Sequence, residues 1–74
     1  MPERMRRLNC REIEAILSRH DFELISQRGS HRKWRNAERR LQVVVPEHGG
    51  RQLPLGTLRT IMTTAEIPDS EWKA

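Results

Sequence analysis

Cysteine is nearly absent. The one thiol, Cys10, cannot close an internal disulfide, and with no histidine or second cysteine at ligand spacing it does not form a metal knuckle. A reducing, cytoplasmic setting fits that scarcity. Long apolar runs are missing as well. None exceeds three residues, the length of Val43-Val44-Val45, and the basic opening from Met1 to Arg7 leads into no apolar stretch, so neither a membrane span nor a secretory signal is expected. Nor is there length for a second domain: a chain of 74 residues buries about 60% of its unfolded surface. Any chemistry therefore belongs on a surface or in a shallow groove. No repeat, low-complexity tract or linker interrupts the chain.

What is plentiful is positive charge. The formal net charge is +4, and twelve of the fourteen basic residues are arginine, whose planar fork suits phosphate and stacks on bases. Nucleic acid is the first partner this suggests, with an acidic protein or an anionic surface as alternatives. At 35% hydrophobic and 32% charged, the composition borders on that of disordered chains, but apolar periodicity in three places argues for a fold.

Behind a basic arm over residues 1–8, Asn9-Cys10-Arg11-Glu12 has capping-box spacing. Ile13, Ile16 and Leu17 continue one stripe, Leu8 stands at the staple position, and a helix over about residues 10–20 should stop near Asp21. Alternation from Phe22 to Gln27 predicts a strand with Phe22 and Leu24 on one face, and Gly29-Ser30 a turn. A second strand runs from His31 to Arg35, with His31, Lys33 and Arg35 on one face and Arg32 and Trp34 on the other, Trp34 being the expected core anchor. Asn36 to Arg39 reads as a hairpin loop, and Arg40 to Val45 as a third strand that Pro46 ends. A Gly49-Gly50 loop leads to Pro54 and a helix carrying Leu55, Leu58, Ile61, Met62 and Ala65, closed by Ile67-Pro68. The fold class is α+β: helix, three-stranded antiparallel sheet, helix, with both helices on one sheet face. The domain spans 9–67, leaving 68–74 as a tail in which Trp72 either folds back or stays exposed.

Between Arg28 and Arg40, six basic residues face one acidic residue, Glu38. Such a hairpin suits phosphate contacts, although cations on a solvated strand also guard an edge against aggregation. His31 is the titratable group there that exchanges protons near neutrality. As general base it can take the proton of an RNA 2′-hydroxyl, so that the oxygen attacks the adjacent phosphate; DNA would then be inert. The alternative is an exposed turn histidine without a role. His20, His31 and His48 lack the short spacing and carboxylates of a zinc site, so no metal is expected. Gly49-Gly50 does not open a phosphate loop, and Ser30 and His31, as strand neighbours, point apart.

Phe22-Glu23-Leu24, Gly29-Ser30-His31-Arg32-Lys33-Trp34, Val45-Pro46-Glu47-His48-Gly49-Gly50 and Pro54-Leu55-Gly56-Thr57-Leu58-Arg59 follow in an order and spacing that resemble the HicA (YcfA-like) toxins of bacterial toxin-antitoxin systems. The resemblance extends from about Asn9 to Ile67. It implies a double-stranded-RNA-binding-like fold and an mRNA interferase needing no cofactor, with the histidine of the glycine-serine-histidine motif, His31, as catalytic residue and a HicB-type antitoxin covering the toxin. Gly29, Ser30, Arg32, Lys33 and Arg35 are then the expected RNA-binding residues. Asp21 departs from the family's usual glycine, and nothing carries over to Trp72. A noncatalytic RNA-binding module, or an interaction domain for an acidic partner, remain alternatives.

Overall fold

A computed structural model describes residues 7–72, so residues 1–6 of the expected arm and 73–74 of the expected tail lie outside the described part. Helix α1 (Cys10–Arg19) is followed by strands β1 (Glu23–Arg28), β2 (His31–Asn36) and β3 (Leu41–Pro46), helix α2 (Leu55–Ala65) and a 3-10 turn, Asp69–Trp72. The α+β order is the one the sequence predicts. Among the described residues no helix is long and apolar enough to cross a membrane.

Local chemistry sets the ends of α1. The Asn9 side chain accepts from the Glu12 N–H at 2.9 Å, and the Asn9 N–H donates to Glu12 Oε1 at 3.0 Å, closing the capping box. At the other end Asp21 takes φ 68°, and the Phe22 N–H reaches back to the Leu17 carbonyl at 3.1 Å, as in a Schellman stop. That stop drops Phe22 into the core just before the sheet, so β1 begins at Glu23 and not at Phe22. Cys10, Ile13, Ile16 and Leu17 form the buried stripe, and Leu8 joins it.

The sheet is antiparallel in the order β1-β2-β3, which makes β2 central. Gly29, with φ 59°, is the first of two residues joining β1 to β2, a position where a residue without Cβ avoids strain and the turn matches strand twist. The simple alternation expected for β1 is broken. Leu24 pairs with Trp34 and Ser26 with Lys33, leaving Ile25 as a bulge. Leu24 shares the helix-facing side with Trp34 but remains 41% exposed on this edge strand, since helix contacts with the sheet concentrate on β3.

Val43 and Val45 on β3 point into the core while Val44 faces outward, so both helices cover one sheet face. Leu53, Leu58, Ile61, Met62, Ala65 and Ile67 complete that core from α2 and its flanks. Helix α2 ends at Ala65, with Glu66 at φ 54°, before the expected Ile67-Pro68 boundary. Two further expectations change. Asn36 is not a loop residue but the buried last residue of β2, and the loop is 37–40, with Arg40 at φ 57° and β3 starting at Leu41. Trp34 is only half-buried against the core; the deepest indole is Trp72, 1% exposed, whose Nε1 donates to the Ile67 carbonyl at 3.2 Å. Of the two positions left open for Trp72, the chain takes the one folded back onto the core.

Candidate functional site

Parity along β2 divides the basic segment between two faces. His31, Lys33 and Arg35 are exposed on the face away from the helices, in the register that the sequence predicts. Across the strands, Arg28 and Pro46 pair with His31, Ser26 and Val44 with Lys33, and Glu23 and Gln42 with Arg35. Ser26, Gln27, Arg28, His31, Lys33 and Val44 line an open, shallow depression on this face. The imidazole thus lies beside two cations and an apolar side chain. Among the described residues neither the His31 nor the His48 side chain makes a hydrogen bond.

The backbone around the imidazole is better tied down than its side chain. Pro46 lacks an N–H, but the Glu47 N–H donates to the Ser30 carbonyl at 2.7 Å, adding a rung beyond the end of β3. That rung holds the start of the Glu47 to Gly50 loop against the Gly29-Ser30 turn. Gly49 and Gly50 both have positive φ, 59° and 87°, and the Arg51 N–H closes onto the His48 carbonyl at 3.1 Å, so the loop doubles back, and its glycines line a groove with Glu14, Arg32 and the start of α1 on the helix side of the sheet. Gly29 and Ser30 contribute through this turn geometry.

Arg32, expected among the phosphate contacts, sits on the helix-facing side. Its Nε donates to Glu14 Oε2 at 2.5 Å, and the Trp34 indole N–H donates to the same oxygen at 2.7 Å. The bond to Glu14 raises the Arg32 guanidinium pKa above its ordinary value and keeps it charged. Close by, burial pushes the Cys10 thiol up to about 11, with the Glu14 charge adding to the shift, which makes it an unreactive neutral thiol. Arg28, which the sequence places in the basic hairpin but not among the expected site residues, and Glu14 both enter the arrangement. Arg28 was visible in principle, because a two-residue turn places it directly opposite His31. Glu14 gave no such signal: a charged residue beside Ile13 reads as the solvated edge of a helix until β2 is laid against it.

The family model of the HicA toxin of bacterial toxin-antitoxin systems matches residues 10–67, most of the chain. No curated protein matches it.

Proposed function

The chain belongs to the HicA toxin family of bacterial toxin-antitoxin systems, and from that premise we propose that it is a ribonuclease toxin that cleaves mRNA with His31 as general base. The observation that carries this reading is the exposed imidazole of His31 in one row with Lys33 and Arg35 and directly opposite Arg28. In the reaction His31 removes the proton of a ribose 2′-hydroxyl. The freed oxygen bonds to the adjacent phosphorus, the bond from phosphorus to the 5′-oxygen breaks, and that oxygen leaves as a hydroxyl after taking a proton from solvent or an acid. A 2′,3′-cyclic phosphate and a 5′-hydroxyl are left, with no metal required. Arg28, Lys33 and Arg35 neutralise the charge that gathers on the five-coordinate phosphorus. Gly29 and Ser30 shape the turn that presents the base.

The nucleophile and the leaving group both come from RNA, so an open face is sufficient; nothing but base and cations need be supplied by the protein. A HicB-type antitoxin is the proposed partner. The half-exposed Ile25 and Val44, which lie with Arg35 and Lys33, suit a partner that buries apolar surface and brings acidic side chains.

An end-labelled RNA and the same RNA with a single 2′-deoxynucleotide test the reaction. The expected products are cyclic phosphate ends at every cut, with no cut at the deoxy position. Binding without new ends would instead favour a noncatalytic RNA-binding module.

A further inference from the structure

Three side chains that take no part in the reaction as described above form a continuous run of hydrogen bonds beneath it. Glu14 projects from α1 beside the buried Ile13 and Leu17, and its side chain is 15% exposed. One of its oxygens accepts from Trp34 Nε1 and from Arg32 Nε. The other end of the Arg32 fork donates to Gln27 Oε1 at 2.8 Å, and Gln27 Nε2 donates to the Gly29 carbonyl at 3.1 Å. The run therefore starts on α1, passes under β2, crosses to β1 and ends on the peptide between Gly29 and Ser30. That peptide also bears on the rung between Ser30 and Glu47.

The geometry points to Glu14, Arg32 and Gln27 as positioning residues that fix the Gly29-Ser30 turn, and through it the direction of the His31 imidazole; this inference rests on the ribonuclease reading above. The ladder and the rung from Glu47 to the Ser30 carbonyl hold the ends of this turn, and Gly29 and Ser30 are both exposed, so the bond from Gln27 is the side-chain hold on the peptide between them. Arg32 is suited to the middle place because a guanidinium donates in two directions from one rigid plane, which an ammonium on a flexible stem does not reproduce. The outer bonds are open to solvent, so their contribution is geometric, with little weight in overall stability. Parity along β2 turns Arg32 away from the face on which His31, Lys33 and Arg35 lie, and the run gives it a task there.

The test compares the wild type with Gln27→Ala, Glu14→Ala and Arg32→Lys, using Glu66→Ala as a control that removes the distant side-chain pair with Arg39. Gln27 is exposed, so Gln27→Ala keeps the fold even if the Glu14 and Arg32 variants are weakened. Amide hydrogen exchange of Glu47, whose N–H binds the Ser30 carbonyl, reads the turn without reference to activity. It is expected to quicken by about 5- to 10-fold in the three variants and to stay unchanged in the control. RNA cleavage reads the imidazole: kcat is expected to fall about 10-fold with KM within about twofold, since misplacement of a catalytic group slows chemistry and not binding. Unchanged Glu47 exchange in Gln27→Ala would overturn the inference. So would an Arg32→Lys protein with wild-type kcat, or Arg32 variants that raise KM alone, which is the behaviour of a phosphate ligand. If the wild type cuts no RNA, the ribonuclease reading falls, while the exchange result still decides whether the three side chains hold the turn.

Discussion

Asn36 shows how much can rest on one buried amide. Its Nδ2 donates to the His20 carbonyl at 3.2 Å, and its Oδ1 accepts from the Arg39 N–H at 3.0 Å, so a single side chain fastens the end of α1 to the 37–40 loop. Asn36→Ala leaves both partners short of a bond and is expected to destabilise the fold by about 1 to 3 kcal/mol in urea unfolding. Asp21 has the opposite prospect. Its φ of 68° places a side chain in the left-handed region, and Asp21→Gly should stabilise by about 0.5 to 1 kcal/mol after the entropy of glycine is deducted. Cys10 adds a pH dependence of known sign. Its folded pKa is about 11 against an ordinary 9.0, so the fold favours the neutral thiol. The associated stability is whole below about pH 9 and declines as pH rises through about 11. Unfolding curves at pH 8 and pH 10.5 should therefore converge more closely in Cys10→Ala than in the wild type.

Among the elements, β3 carries most of the sheet's packing against the helices, while β2 carries the proposed chemistry. Its period of two was legible in the residues from His31 to Arg35, as were the capping box at Asn9 and the proline-led helix after Leu53. These features depend on neighbours in sequence. What could not be read depends on neighbours in space. The bulge at Ile25 arises from the pairing of β1 with β2, and the exposure of Leu24 follows from where the helices lie. Glu14 acquires a role only when Arg32 and Trp34 arrive from the sheet. Trp72 is the largest case. The 3-10 turn that bears it is held by the pair of His20 with Glu71 at 3.0 Å, and its indole enters a core that would otherwise be open at that end. Trp72→Ala is expected to lower stability by about 3 to 5 kcal/mol, more than Trp34→Ala, when the two are unfolded in parallel.

At the scale of the molecule, a net charge of +4 is distributed so that Arg28, Lys33 and Arg35 share a face with His31, while Arg32 is neutralised by Glu14 and Arg39 pairs with Glu66. In the proposed reaction RNA brings its own nucleophile, so an open sheet face that offers a base and cations is sufficient. Three phosphate contacts to a single strand give an expected slope of about −2 in log affinity against log salt, and replacing Lys33 and Arg35 by alanine should reduce it to about −0.7. The exposed histidine at the head of β2 is still the centre of this reading, and single-turnover cleavage of a labelled RNA by wild type and His31→Ala tests it most directly. His31→Ala is expected to fold, to bind RNA within about twofold of the wild type and to cleave about 10² to 10⁴ times more slowly. A folded His31→Ala protein that produced cyclic phosphate ends at the wild-type rate would contradict it.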